Sequence, residues 1–131
     1  MSKENVESLK RWWRAFDESG MPPPDLFDPA AEIVNFKEAP MRGPFHGHEG
    51  LRTWAEQIFE VVSDQRIDVE DVIDAGEVVV SVQRIIGTAR HTGLPFDFRW
   101  WNVFWFKNGL VIRAEGFLDR TEALEAAGLS E

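Results

Sequence analysis

The sequence predicts an α+β fold, an antiparallel sheet with helices packed against one face. Three observations predict it. Apolar residues recur at helical spacing in the first half of the chain. Four runs rich in β-branched or aromatic residues follow one another in the second half. Turn signals separate those runs, so the strands form a meander, and helices placed earlier in the chain must cover one of its faces.

The first helix is marked by Val6, Leu9, Trp13 and Phe16, with Lys10, Arg11 and Arg14 between them. Ser2 suits its N-cap and Gly20 its end. Pro22-Pro23-Pro24 forbids helix and gives a stiff extended link. Asp25-Leu26-Phe27-Asp28-Pro29 predicts a short helical turn closing before Pro29. Ala31 to Phe36, with Ile33 and Val34, predicts a short strand. Lys37 to His48 holds Pro40, Gly43, Pro44 and Gly47 and reads as a loop. Leu51, Trp54, Ile58, Val61 and Val62 form the apolar stripe of a second long helix, ended by Ser63-Asp64. Strands are predicted over Arg66 to Ala75, Val78 to Ala89, Phe96 to Lys107 and Leu110 to Leu118. The turns between them are Asp74-Ala75-Gly76-Glu77, His91-Thr92-Gly93 and Asn108-Gly109, the last a strong hairpin signal. Asp119-Arg120-Thr121-Glu122 fits an N-cap with a glutamate three residues on, and a short C-terminal helix runs from it to Gly128.

The 131 residues suit one domain, 1–131, with no linker, repeat or low-complexity stretch. There is no cysteine, which excludes disulfides, thiolate metal sites and a cysteine nucleophile. Asp plus Glu is 23 against 14 Lys plus Arg, a net charge of −9. A surface that negative repels phosphate, so neither nucleic acid nor an anionic membrane is expected as a partner. No apolar run approaches the roughly 20 residues of a spanning helix. The polar start Met1-Ser2-Lys3-Glu4-Asn5 shows no signal-peptide pattern, so the expected location is cytoplasmic. Six Trp and 10 Phe stand beside no Tyr, so no phenol is available as an internal donor.

Several stretches carry a further likeness. Glu4-Asn5-Val6 opens the first helix, and Leu26-Phe27-Asp28-Pro29-Ala30-Ala31 and Phe45-His46-Gly47-His48-Glu49-Gly50-Leu51 follow. Lys107-Asn108-Gly109-Leu110-Val111-Ile112-Arg113 and Asp119-Arg120-Thr121-Glu122-Ala123-Leu124-Glu125-Ala126-Ala127-Gly128-Leu129 lie near the end. In this order the chain resembles the SnoaL-like branch of the nuclear transport factor 2-like superfamily, over nearly its whole length. The resemblance implies a cystatin-like cone: a curved antiparallel sheet wrapped around three N-terminal helices, with a short C-terminal helix. It implies an apolar cavity whose mouth lies between helices and sheet, and a homodimer through the sheet's outer face. The superfamily includes polyketide cyclases, ketosteroid isomerases, epoxide hydrolases, dehydratases and proteins with no known chemistry, so the fold alone carries no function across.

Alternation along each strand sorts the candidate site residues. On the aromatic strand Phe96, Phe98, Trp100, Asn102, Phe104 and Phe106 form the apolar row, expected to face the cone. Asn102 is its polar member, either bonded within the core or aimed at a ligand. Trp101, Val103 and Trp105 fall on the other face, mixed with Asp97, Arg99 and Lys107, a mixture that suits a subunit interface. On the preceding strand Val78, Val80, Val82, Arg84 and Ile86 form the more apolar row, which places Arg84 inward. An inward guanidinium pairs with a carboxylate at the rim or holds a ligand carboxylate or enolate. On the last strand Ile112, Ala114, Gly116 and Leu118 are expected inside, and small Ala114 and Gly116 leave room for a ligand.

By the resemblance, SnoaL-like cyclases carry an acid at the position matched by Gly116, and ketosteroid isomerases carry an aspartate base at Asn35 and a tyrosine at Trp13. Asn35 cannot act as a general base and an indole cannot accept a hydrogen bond. The titratable side chains left near the mouth are His46, His48, Glu38 and His91. His46 is a solvated loop residue or, if the loop folds over the mouth, a general base. His46 and His48 lack a third ligand of clear spacing, so no metal is expected, and no cofactor is either. Asp97 and Arg99 resemble the acid and arginine of epoxide hydrolases in this superfamily, yet alternation puts them outside; a register one residue out would reverse every assignment.

The expected function is binding of a small, mostly apolar molecule. Trp13, Trp54, Phe98, Trp100 and Phe104 line the pocket, and Asn35, Arg84 and Asn102 serve as polar anchors. Two alternatives remain. One is a SnoaL-like lyase, isomerase or cyclase using His46 on a small hydrophobic, polyketide- or steroid-like substrate. The other is a non-catalytic protein-interaction or dimerisation module. Whether the protein is an enzyme is left open.

Overall fold

The computed structural model describes residues 2–39 and 41–129, apart from the side chain of Ser2. The expected Ser2 cap and Pro40 of the expected loop therefore lie outside the described residues. Helix α1 spans Ser2–Ser19 and buries Leu9, Trp12, Trp13 and Phe16, a set at three- and four-residue spacing. One 3-10 turn follows at Pro24–Leu26. Strand β1 spans Phe27–Val34 and the two-residue β2 spans Phe45–His46. Helix α2 runs over Gly47–Val61 and passes directly into β3, Val62–Ala75. Strands β4 (Val78–Ala89), β5 (Pro95–Lys107) and β6 (Leu110–Phe117) complete the meander, and α3 covers Arg120–Ala126. Asp119 caps α3, its carboxylate accepting the Thr121 N–H as the sequence predicts.

The six strands form one sheet in the order β2-β1-β6-β5-β4-β3. Two features differ from the expected arrangement. The middle of the three expected helices is a single 3-10 turn, and β1 and β2 precede α2. The sheet is mixed, because β1 runs parallel to β6. β1 also starts earlier than predicted and contains Pro29, which lacks a ladder donor; the β1–β6 register shifts between Phe27 and Glu32, where Pro29 lies.

Strand pairing fixes the faces. Val79 pairs with Phe104, Ser81 with Asn102, Gln83 with Trp100 and Ile85 with Phe98. The inward row of β5 is the one the sequence predicts. On β4 the predicted row is reversed: Val79, Ser81, Gln83 and Ile85 are buried under the helices, while Arg84 and Ile86 are exposed on the other face. Hydrophobicity could not separate the two rows, because the outer row is also apolar at Val78 and Val80, where the small outer cluster packs. On β6 a register shift beside Trp105 and Phe106 turns Val111 inward and leaves Ile112 exposed, while Ala114 and Gly116 stay inside.

The main core packs α1 and α2 against the inner face, with Trp12 set against Phe27 and Phe104. A second, smaller cluster lies on the outer face, where α3 brings Ala123 onto Val80 and Val103, with Trp101, Trp105 and Phe117 beside them. The outer residues assigned to a subunit interface are thus covered in part by this chain itself. Val103 is fully buried and the two tryptophans are half-buried. Among the described residues no helix is long and apolar enough to cross a membrane.

Candidate functional site

A cavity of about 380 Å³ opens between the helices and the inner face of the sheet. Asn35 and Phe36, just past β1, form one wall, and Ala39 and Met41 of the following loop roof it. Ile58 and Val61 come from the last turn of α2, and Val62 from the first residue of β3. Ile85 and Ala89 of β4 and Phe96, Phe98 and Trp100 of β5 form the floor. Apart from Asn35 the described lining is apolar, as ligand sites commonly are. A larger hollow of about 510 Å³ between α1 and β3 is open to water; Val6, Val69 and Val72 lie in it among Lys3, Lys10, Glu70, Asp71 and Asp74, so charged side chains ring its apolar part.

Trp100 closes the inner end. Its indole meets Trp13 edge-on at 5.2 Å between centroids, Phe36 at 6.2 Å and Trp54 at 6.3 Å. Behind it a hydrogen-bond relay links Trp13, Ser81 and Gln83, while Trp100 Nε1 and Asn102 Nδ2 are buried without a partner. Trp13 Nε1 donates to Ser81 Oγ at 3.2 Å, Ser81 donates to Gln83 Oε1, and Gln83 Nε2 donates to the Trp100 carbonyl at 2.9 Å. Gly116 lies against the far edge of Trp100: a Cβ there would sit 2.5 Å from Trp100 Nε1. The position at which the resemblance places a cyclase acid is therefore filled by an indole edge.

Asn35 holds the roof. Its Oδ1 accepts from Trp54 Nε1 at 2.7 Å, its Nδ2 donates to the Met41 carbonyl, and its backbone N–H donates to the Arg42 carbonyl at 2.9 Å. The oxygen and one of the two amide N–H groups are engaged in this way, so Asn35 ties the loop to α2.

The structure brings Asn35, Phe98 and Trp100 of the expected site together at the cavity. Trp13, Trp54 and Phe104 are buried in the core and do not line it. Asn102 is buried on the expected face, one inward position beyond Trp100, but also outside the lining. Arg84 is corrected outright. It is exposed on the outer face with Nε 2.8 Å from Asp97 Oδ1, because the inward row of β4 is the other one. That hydrogen bond, with the pair's mutual attraction, raises the Arg84 pKa, and the same bond lowers that of Asp97. Arg99 is also outside, with Nε 2.6 Å from Glu70 Oε1. His46 is not at the cavity either. It lies in β2, its side chain 69% exposed and Nδ1 3.8 Å from Glu32, because β2 pairs with β1 at the sheet edge instead of folding over the mouth. His48 braces the backbone, its Nε2 2.6 Å from the Phe27 carbonyl.

Sequence reasoning missed Phe36, Ala39, Met41, Ile58, Val61, Val62, Ile85 and Ala89 as lining. Ile85 belongs to the β4 row that was taken for the outer one, Ile58, Val61 and Val62 read only as the apolar stripe of a helix, and Ala39 and Met41 stand in a loop with no periodicity to place them. Among the described residues no group of three or more His, Asp or Glu side chains could hold a metal ion.

A bent sheet closed by helices over an apolar pocket defines the class, a cone-shaped α+β fold. The SnoaL-like domain model matches residues 9–114, and the chain belongs to that family. It is similar in structure to a nuclear transport factor 2-like protein of unknown function from Burkholderia pseudomallei K96243, with TM-score 0.80, 19% identity, and 93% of this chain and 95% of that one covered. A second similar structure is TerC co-crystallised with polyporic acid, at TM-score 0.75 and 17% identity, covering 95% and 98%. A third is a hypothetical protein with a ketosteroid isomerase-like fold from Catenulispora acidiphila DSM 44928, in complex with trimethylamine, at TM-score 0.73 and 15% identity, covering 94% and 93%. These identities speak for the fold alone. Comparison with curated proteins gave no match.

Proposed function

We propose that the protein binds a small, mostly apolar molecule in the cavity between Trp100 and the loop of Ala39 and Met41, and does not act on it chemically. One observation carries this reading: among the described lining residues no side chain titrates, so the cavity holds neither a general acid nor a general base. Apolar walls still gain roughly 25 cal/mol for each Å² of apolar ligand surface withdrawn from water. That two structures of similar fold were solved with small organic molecules, polyporic acid and trimethylamine, agrees with a binding role.

A thermal-shift screen of small apolar molecules tests the proposal. Ligands that raise the melting temperature should lose their effect in Ala89→Phe, which fills the floor, and keep it in His46→Ala. A hit whose chemical turnover disappears in His46→Ala would instead support the lyase, isomerase or cyclase reading.

A further inference from the structure

The cavity's chemistry narrows its ligand further, and this step rests on the binding reading above. Asn35 is the only polar side chain in the described lining; its oxygen accepts from Trp54 Nε1, and one of its two amide N–H groups donates to the Met41 carbonyl. Trp100 lines the cavity with its ring, and its Nε1 is buried without a partner against Gly116. The Trp100 carbonyl is held by Gln83. Apart from the second amide N–H of Asn35 and the enclosed Trp100 Nε1, the described walls offer a ligand no side-chain hydrogen bond, and they offer no charge. Further polar groups carried inside would be left unpaired, and an ionised group carried inside would meet a cost of several kcal/mol or more.

The walls favour flat rings. Phe36 meets Phe98 at 6.5 Å and 70°, and Trp100 at 6.2 Å and 70°, so neighbouring rings meet edge to face, an arrangement aromatic surfaces prefer. Size sets a bound. A dry apolar cavity of about 150 Å³ admits one benzene, and the present cavity, at about 380 Å³, is roughly two and a half times larger.

We infer that the ligand is a neutral, flat molecule of two to three rings that brings no charge and few hydrogen-bonding groups, acceptors only, into the cavity.

Two fluorescent probes on one skeleton test this with the full chain. N-phenyl-1-naphthylamine is neutral, and 8-anilinonaphthalene-1-sulfonate adds a sulfonate to the same frame. The neutral probe should bind saturably at one site per chain, at least tenfold more tightly than the sulfonate. Ala89→Phe and Val61→Phe should each weaken it at least tenfold. Equal or tighter binding of the sulfonate, lost in both variants, overturns the inference and leaves the binding reading standing. Binding unaffected by either variant, or no binding of either probe, overturns both. If neither variant folds, contacts between probe protons and the Ile58 and Ile85 methyl groups in nuclear Overhauser spectra locate the probe, and their absence overturns the inference.

Discussion

Replacing Asn35 with leucine tests whether the roof of the cavity is tied down by one side chain. Leucine is similar in size and apolar, so the substitution removes hydrogen bonds more than volume. Asn35 is 5% exposed, and its loss strands Trp54 Nε1 and the Met41 carbonyl. A buried group left unpaired costs about 1–3 kcal/mol. The indole is fully enclosed, whereas Met41 is half-buried and regains water in part, so the sum is about 2–4 kcal/mol. With an unfolding entropy of about 2.1 cal/mol/K per residue, a chain of this length loses roughly 3–4 °C of melting temperature per kcal/mol, hence roughly 7–14 °C in all. Circular dichroism melts measure the shift, and the near-ultraviolet signal reports the freed Trp54. Asn35→Asp separates the two bonds. It keeps an acceptor for Trp54 but sets a carboxylate against the Met41 carbonyl, which disfavours the charged form and raises the folded-state pKa. A raised pKa gives stability that is present at low pH and lost as pH rises through the folded value. Asn35→Asp should therefore melt closer to the parent protein at pH 4 than at pH 7. A loss under about 3 °C for Asn35→Leu, or no such pH trend for Asn35→Asp, would refute the argument that Asn35 fastens the loop.

Three further outcomes are expected. Gly116→Ala puts a methyl group 2.5 Å from Trp100 Nε1, so the indole must move; melts should show a loss of about 1–3 kcal/mol, and the tryptophan emission should shift. Arg84→Ala should raise the Asp97 pKa toward the ordinary carboxylate value in a carboxyl-detected titration and leave probe affinity unchanged, because the pair lies on the outer face. In the parent protein what this pair contributes is present above that ordinary value and is lost as pH falls through the lowered one. If the homodimer expected through the outer sheet face forms, sedimentation gives twice the 15.0 kDa chain mass, and a monomer removes that expectation.

The parts legible in the sequence are those where one physical signal acts alone. Turn chemistry at Asn108-Gly109 and alternation in β5 placed Trp100 and Asn102 on the inner face, because the opposite row there is mixed with Asp97, Arg99 and Lys107. The same reasoning failed on β4. Val78, Val79 and Val80 are apolar on both faces, and the outer face is apolar because α3 lies on it. Arg84 was carried inward by that ambiguity. The parallel pairing of β1 with β6 joins segments some 80 positions apart, such as Ile33 with Ala114, and no local pattern encodes it. The roof of the cavity was equally unreadable, since the placement of Met41 depends on a bond from Asn35 six positions away and not on any period.

Asn35 and Gly116 occupy the positions at which the resemblance led us to look for acids, and each has a structural task. Asn35 uses its oxygen and one amide N–H to hold the roof. Gly116 admits the edge of Trp100, whose other contacts, with Trp13, Trp54 and Phe36, fix the inner end of the cavity. An acid at position 116 needs a Cβ where Trp100 Nε1 leaves 2.5 Å, so that acid and this placement of Trp100 exclude one another. Introducing a carboxylate there would therefore move the wall that shapes the cavity before it supplied a proton. A single Gly116→Asp substitution should accordingly weaken binding of the neutral probe without generating acid–base catalysis. The combination with Trp100→Ala, which removes the obstructing ring, is the one in which a carboxylate at 116 has room to face the cavity.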